Sequence, residues 1–105
     1  MKELEHMVVR FIPYGEDNAI SRHELVNLTH LTDREVRALI ASAREEQVIL
    51  SRPSGGYYKP TPAEAPNIRS YLAKEKKRAV SIFKSIKYAK KFLADIERGA
   101  INGRC

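Results

Sequence analysis

Three arginines are spaced along the segment Thr32 to Gln47 so that a helix would carry them on its surface. Arg34 and Arg37 are about one turn apart, and Arg44 follows two turns later. A guanidinium group can donate two hydrogen bonds to O6 and N7 of guanine, which are open in the major groove of DNA. The segment therefore predicts a helix that reads base edges, with Arg37 as the best single candidate.

Each of these side chains also has an alternative role within the protein. Arg34 could form a salt bridge along its own helix, and Arg44 could pair with Glu24 or another acidic residue of the domain. The hydroxyl groups of Thr32 and Ser42 could donate to backbone phosphates, which fix position but carry no sequence information. The spacing alone leaves these alternatives open.

Catalytic and metal chemistry has little basis in this sequence. His6, His23 and His30 are not set at metal-ligand spacings with a cluster of carboxylates and cysteines. No nucleophile elbow, phosphate-binding glycine loop or pair of catalytic acids is present. Cys105 is the only cysteine, so it can form no internal disulfide and no metal site by itself. We expect no enzyme activity, no cofactor and no bound metal.

The segment that carries the arginines has the pattern of an amphipathic helix. Thr32 and Glu35 have the spacing of a capping box, in which each side chain accepts a hydrogen bond from the backbone of the other residue. Apolar residues recur after it at three- and four-residue steps, and they predict one buried face. These residues are Val36, Leu39, Ile40 and Ala43.

A second, shorter helix is predicted upstream. Ser21 and Glu24 repeat the capping-box spacing, which indicates a helix of about two turns from Arg22 to Thr29. His30 and Leu31 would then form the turn between the two helices. Two short helices joined by a tight turn, the second with exposed arginines near its start, are the arrangement that places a helix in the major groove.

A β-hairpin is predicted directly after the arginine-bearing helix. Residues 48–51 and 57–59 have the composition of strands, and the Pro-Ser-Gly-Gly stretch at residues 53–56 forms the turn. Strand alternation sends one of Tyr57 and Tyr58 inward and the other outward. The outward tyrosine could stack on a nucleic-acid backbone or form a hydrogen bond with it.

The run ISRHELVNLTHLTDREVRALIASAREEQVILSRPSGGYYKP resembles the winged helix-turn-helix domain at the amino end of the biotin repressor and of related bacterial and phage regulators. The resemblance covers residues 1–62, and it is strongest at Leu-Thr-Asp-Arg-Glu-Val-Arg and at Gly-Gly-Tyr-Tyr. It implies that helix 32–47 reads the major groove and that the wing, residues 52–59, contacts the DNA backbone. The family's turn often holds glycine where this chain has His30. The DNA-binding residues expected on this basis are Thr32, Asp33, Arg34, Arg37, Ser42, Arg44, Arg52, Ser54, Tyr57 and Lys59.

The amino-terminal residues complete this domain. Apolar residues at helical spacing predict a first helix over residues 2–12, which Pro13 ends. Ala19 and Ile20 are placed to form a short strand that pairs with the hairpin. Packing in the core is favoured over a dimer contact for the first helix, because the domain has little other core. Its apolar residues are Leu4, Met7, Val8, Phe11 and Ile12.

The composition changes after the hairpin. Residues 1–66 contain eight Lys/Arg and ten Asp/Glu, whereas residues 67–105 contain eleven and three, so the net charge of +6 comes from the second part. No proline or glycine occurs from Asn67 to Arg98, which predicts one long helix or two in sequence. Residues 63–105 are therefore expected to form a helical extension with a short flexible end.

The predicted extension has two faces. Its basic face consists of Lys77, Lys84, Lys87, Lys91 and Arg98. Its apolar face, called the seam below, consists of Leu72, Ala79, Ile82, Ile86, Ala89, Leu93 and Ile96. The seam predicts dimerisation by helix pairing, with packing back onto the chain as the alternative. The basic face could attract DNA or form only a solvated surface.

Together these patterns predict an α+β, mainly α, protein that combines a winged helix-turn-helix domain with a long basic amphipathic helix at the C-terminal end. The expected function is sequence-specific binding of double-stranded DNA by a dimeric transcriptional regulator of a phage or mobile element. The alternative is a protein–protein interaction module, such as a phage replication or helicase-loading factor or an inhibitor of a host nucleic-acid complex. Without a signal peptide or an apolar run of roughly 20 residues, we expect a cytoplasmic location, no membrane and no small-molecule substrate.

Overall fold

The computed structural model describes residues 2–99, and the chain divides after Arg69 into two compact units. The fold is mainly helical, with one two-stranded antiparallel sheet, which confirms the predicted α+β class. The short flexible end predicted for the extension falls largely outside the described residues. The elements are α1 (Lys2–Arg10), a 3-10 turn (Glu16–Asn18), α2 (Arg22–Thr29), α3 (Asp33–Ala43), β1 (Leu50–Ser51), β2 (Tyr57–Tyr58), a second 3-10 turn (Pro62–Glu64) and α4 (Ala65–Glu97).

The core of the first unit lies between α1, α2 and α3 and is closed by the residues before β1. The predicted apolar face of α3 is confirmed, with Leu39 only partly buried at its edge. The face of α1 differs from the prediction, because Val9 is buried and Phe11 is 38% exposed. Since α1 ends at Arg10, Phe11 lies past the helix and does not continue its periodicity. The core residues are Val8, Val9, Ile12, Leu25, Val36, Ile40, Ala43 and Ile49.

Hydrogen bonds of Thr29, His30 and Leu31 fix the turn between α2 and α3. His30 adopts a left-handed backbone with φ 61° and donates its N–H to the Val26 carbonyl at 2.9 Å. Histidine tolerates this region better than a β-branched residue does, so the turn forms without glycine. The buried Thr29 hydroxyl donates to Leu25 O at 2.6 Å and accepts from the Leu31 N–H at 3.3 Å. These bonds give the carbonyl oxygens in the last turn of α2 hydrogen-bond partners, and they fix the direction of α3.

Helix α3 ends at Ala43, four residues earlier than predicted. The N–H groups of Glu45 and Glu46 bond to carbonyl oxygens three residues back, at 3.1 and 3.0 Å, so the backbone leaves the α-helical pattern. Two carboxylates at the end of a helix also oppose its dipole. Lys2 holds Glu46 in an ion pair at 2.7 Å, which lowers the pKa of the Glu46 carboxyl. The residues after Ala43 therefore form a turn against the start of α1.

The predicted hairpin is present, with strands shorter than expected. Leu50 pairs with Tyr58 and Ser51 with Tyr57, and the N–H of Arg52 donates to Gly56 O at 2.9 Å across the turn. The expected third strand is reduced to a single bridge between Ile20 and Tyr57. Gly56 lies against this bridge with φ 109°, and a Cβ there would stand 3.1 Å from Ala19 Cβ. Glycine at this position lets the hairpin close on residues 19–20.

The start of α4 is fixed to the first unit. Glu64 accepts two backbone hydrogen bonds, from Glu16 N at 2.8 Å and from Thr61 N at 3.0 Å. Asn67 Nδ2 donates to the hydroxyl of the buried Tyr58 at 3.1 Å. The first compact unit therefore extends through Arg69 and includes the start of α4, and the division into two functional domains at residue 62 stays a prediction.

Helix α4 runs without interruption from Ala65 to Glu97, so the predicted extension is one helix and not two. Pro66 does not break it, because the N–H groups of the first helical turn need no partner within the helix. Among residues 2–99, no helix carries a stretch long and apolar enough to cross a bilayer.

The contacts of Glu64 predict a pH dependence of stability. Hydrogen bonds from the backbone of Glu16 and of Thr61 lower the pKa of the Glu64 carboxyl below 4.5. Such a carboxylate stabilises the fold fully above its unfolded pKa, and this contribution is lost as the pH falls through the folded value. We expect Glu64→Gln to lower the free energy of unfolding at about pH 6, where an amide offers one acceptor oxygen for two N–H groups. Urea unfolding monitored by circular dichroism measures this free energy.

The same substitution should have a smaller effect at an acidic pH below the folded pKa of Glu64, where the wild-type carboxyl is itself protonated. Glu3→Gln is the matched control, because Glu3 is exposed near the start of α1. It should change stability by no more than about 0.5 kcal/mol at either pH. A Glu64→Gln effect that is the same at both pH values would contradict the assignment.

Candidate nucleic-acid interface

One face of α3 is open to solvent, opposite the face that packs on the core. Val36, Ile40 and Ala43 are buried on the core side. The open face combines two arginines with three small side chains. Because small side chains let a helix approach base edges closely, this face has the shape and the donors needed in a major groove. Its members are Arg34, Arg37, Ala38, Ala41 and Ser42.

Ala38 and Ala41 were not among the residues predicted from the sequence. Ala38 follows Arg34 by four residues and Ala41 follows Arg37 by four, so each alanine lies one helical turn from an arginine. This spacing is visible in the sequence, but alanine offers neither a donor nor an acceptor. A methyl group can nevertheless contact the C5-methyl group of thymine. The face can therefore make apolar as well as polar contacts.

The start of α3 is held by Thr32 and Asp33. Thr32 and Glu35 form the predicted capping box: the Glu35 N–H donates to Thr32 Oγ1 at 3.1 Å, and Glu35 accepts from the Thr32 N–H at 2.9 Å. The bond from Thr32 lowers the pKa of Glu35. Asp33 accepts from Arg22 Nε at 2.5 Å and lies 3.6 Å from the nearest nitrogen of Arg37. The structure thus gives Thr32 the role of capping α3, and it gives Asp33 a role in orienting Arg22 and Arg37.

Arg34 and Arg37 differ in their surroundings. Arg34 has no carboxylate within salt-bridge distance in the described residues, so the alternative salt bridge along the helix does not form. The neighbouring Glu35 is used by the capping box. Arg37 keeps its loose pair with Asp33 and is exposed. Both guanidinium groups therefore retain donors that can reach another molecule.

Arg44 turns toward the hairpin. Its Nε donates to the Ile49 carbonyl at 2.9 Å, and a terminal nitrogen donates to Ser51 Oγ at 3.0 Å. The guanidinium also lies 5.8 Å from the centre of the Tyr57 ring, in cation–π geometry. These partners take the place of Glu24 or another acid. Arg44 connects the end of α3 to both strands, which makes it a positioning residue.

Arg52 is also engaged within the chain, while Ser54 is exposed in the turn of the hairpin. Arg52 Nε donates to Gly55 O at 3.0 Å, and a terminal nitrogen donates to Glu16 O at 3.3 Å. A cleft of about 300 Å³ opens between the hairpin and the start of α2. Two guanidinium groups border it, so an anion is the ligand it suits. The cleft is lined by Ser21, Arg22, Ser51, Arg52, Gly55, Gly56 and Tyr57.

The two tyrosines of β2 take opposite sides, as strand alternation predicts. Tyr58 is 2% exposed, and burial raises the pKa of its hydroxyl. Tyr57 is half-buried and borders the cleft, where its hydroxyl and the Asp33 carboxylate both raise the pKa of Arg22. Lys59 lies 5.2 Å from the centre of the Tyr14 ring, at the other end of β2. Of the predicted hairpin residues, Tyr57 and Arg52 thus share the cleft, and Lys59 does not line it.

Helix α4 carries both of its predicted faces. All five residues of the basic face are exposed, and Arg98 pairs with Asp95. The seam is largely exposed as well, with Leu72 at 48%, Ile82 at 52% and Leu93 at 55%. Ile96 is partly buried. The pairing of this exposed seam with a second helix stays a prediction.

Comparison of this chain with models of protein families, with curated proteins and with solved structures gives no match.

Proposed function

We propose that this chain is a sequence-specific binder of double-stranded DNA. In this proposal residues 1–62 act as a winged helix-turn-helix domain, α3 enters the major groove and the hairpin contacts the backbone. The chain would act as a homodimer, in the role of a transcriptional regulator of a phage or mobile element. The observation that carries the proposal is the open face of α3, where Arg34 and Arg37 keep unused donors beside small side chains.

The cleft beside the hairpin supports the same function. Arg22 and Arg52 are both fixed by hydrogen bonds at its border, so they are ordered before any ligand arrives. Arg22 is in turn bonded to Asp33 at the first turn of α3. A phosphate in the cleft would therefore be placed at a fixed position relative to α3. Contacts of this kind set the register of a protein on DNA, and base contacts then provide specificity.

The charge distribution along the chain favours a contribution of α4 to the affinity for DNA. Residues 1–66 contain more acidic than basic residues, whereas residues 67–105 carry the positive field. Neutralisation of phosphates supplies much of the affinity in protein–DNA complexes. The exposed lysines of α4 would supply part of it, and the two arginines of α3 would supply base contacts.

A selection of binding sites from random duplex DNA tests the proposal. We expect a short motif that contains guanines and occurs as two half-sites related by inversion, because a two-fold dimer reads such a site. The logarithm of the binding constant should fall linearly with the logarithm of salt concentration, by about 0.9 for each phosphate neutralised. Binding that is independent of salt, together with no enriched motif, would refute the proposal.

A second candidate function rests on the acidic balance of the first unit. Asp33 and Glu35 lie at the start of α3, beside the arginines that would face DNA. In this alternative the chain is a protein–protein interaction module, and the basic α4 docks on an acidic surface of a replication or host nucleic-acid complex. Purification of partners from nuclease-treated lysate, in the absence of an enriched DNA motif, would favour this alternative.

A further inference from the structure

The exposed seam of α4 repeats every seven residues. In heptad notation, positions a and d form one stripe along the helix, which a partner helix can cover. Glu75 occupies the one d position between residues 70 and 99 that is not apolar. Residues Leu72, Ala79, Ile86 and Leu93 stand at a, and Ile82, Ala89 and Ile96 stand at d.

We propose that this seam pairs with the same seam of a second copy of the chain, in antiparallel orientation. The overlap is centred between Lys87 and Tyr88 and spans residues 79–96 of each helix. At 1.5 Å per residue, this gives a contact about 27 Å long. The inference rests on the homodimer in the proposed function and adds to it the orientation and register of the two helices.

A parallel pair is disfavoured because it places each residue opposite its own copy. Glu75 would then face the partner's Glu75 inside the seam, where two carboxylates repel each other and lose water. Ala79 and Ala89 would each face an alanine, and the space beside them would remain unfilled. Each pair of facing a or d residues forms one layer of the seam, and three of the layers between residues 72 and 96 would therefore be unfavourable.

The antiparallel register removes these conflicts. Ile86 faces the partner's Ala89, and Ala79 faces the partner's Ile96, so large residues lie opposite small ones and fill the layers evenly. Ile82 faces the partner's Leu93 between them. Glu75 lies beyond the overlap, where its carboxylate keeps water and its ion pair with Arg78 at 3.6 Å. Leu72 also lies beyond the overlap.

The flanking positions match in charge in this register. Lys76 and Glu97 occupy e positions, and antiparallel helices bring e positions of the two chains together, so Lys76 meets the partner's Glu97. Phe83, which is 68% exposed, meets the partner's Lys90, a pairing that suits a cation–π contact. The basic residues at the f positions lie on the outer side of the pair. Charge complementarity thus points to a second copy as the occupant of the seam.

Charge reversal in the full-length chain tests the register. Lys76→Glu and Glu97→Lys each turn two symmetric attractions into repulsions, so each should raise the dissociation constant of the dimer by about 5- to 30-fold. The double variant restores opposite charges and should return the constant to within about 3-fold of wild type. Sedimentation equilibrium measures the constants, and circular dichroism checks that helix content is unchanged. In a parallel pair these two residues are not neighbours, and the double variant would not recover.

Cysteine cross-linking provides an independent measurement in a Cys105→Ser background. The double variant Ile86→Cys/Ala89→Cys should form intermolecular disulfides on oxidation. The reason is that residue 86 of each chain faces residue 89 of the partner in the antiparallel register. Neither single variant should cross-link efficiently. Cross-linking by Ile86→Cys alone would overturn the antiparallel orientation, and a monomeric wild-type chain would overturn the pairing itself. Neither measurement involves DNA, so its outcome is separate from the test of DNA binding.

Discussion

Replacing Arg37 with alanine should weaken binding to the selected DNA site by about 10- to 100-fold, because a bidentate contact from arginine to guanine contributes roughly 1–3 kcal/mol of discrimination. Arg37 is exposed on α3, and its nitrogen lies 3.6 Å from Asp33, so the side chain is oriented while most of its donors stay unused. The loss on random duplex should be smaller, since only the electrostatic attraction is reduced there. Fluorescence anisotropy with both duplexes measures the two losses.

Arg10→Ala is the matched control for the loss of one positive charge. Arg10 is exposed at the end of α1 and is not part of the open face of α3. It should lower affinity for both duplexes by the same small factor. If Arg37→Ala also lowered both affinities equally, Arg37 would be contributing charge without reading bases, and the assignment of α3 as the recognition helix would lose its main support.

Replacing Arg44 with methionine should lower the free energy of unfolding by about 1–3 kcal/mol, the usual effect of leaving a buried polar group without its partner. Ile49 is 1% exposed, and its carbonyl oxygen accepts from Arg44 Nε. Methionine keeps much of the aliphatic length but donates no hydrogen bond, so this oxygen and Ser51 both lose a donor. Chemical unfolding monitored by circular dichroism measures the change.

Arg34→Met is the control for this second substitution, because it makes the same chemical change on the open face of the same helix. Surface substitutions away from specific contacts change stability by about 0.5 kcal/mol or less. We therefore expect Arg44→Met to lower stability clearly more than Arg34→Met does. At a temperature where both variants are folded, Arg34→Met should weaken DNA binding more than Arg44→Met does. Equal stabilities would show that the contacts of Arg44 contribute little to the hairpin.

The starts of α2 and α3 were predictable because the capping of a helix N-terminus is a local interaction. Ser21 and Thr32 lie just before their helices, and each interacts with a residue three positions later. The turn at His30 and the hairpin turn were predictable for the same reason. The sequence also contains the seven-residue period of α4, which the helix displays along its exposed seam.

The features that the sequence did not reveal depend on residues distant along the chain. Helix α3 ends early where Glu46 meets Lys2, which is 44 residues away. Arg44 leaves the predicted interface because carbonyl and hydroxyl groups near β1 accept its donors, and no pattern within the helix indicates them. The start of α4 belongs to the first unit, in which Asn67 donates a hydrogen bond to the hydroxyl of Tyr58. Ala38 and Ala41 were not predicted as interface residues, because they contribute to the shape of the open face and carry no hydrogen-bond donor or acceptor.

The small side chains on the outer face of α3 have a consequence for the divergence of related chains. Ala38 and Ala41 are exposed, and alanine is the residue that favours a helix most, so exchange for other good helix formers alters the scaffold by less than about 0.7 kcal/mol at each position. Under the proposed function, the preferred base sequence could then drift through mutation at two sites while folding remains intact. Target choice would evolve almost independently of stability.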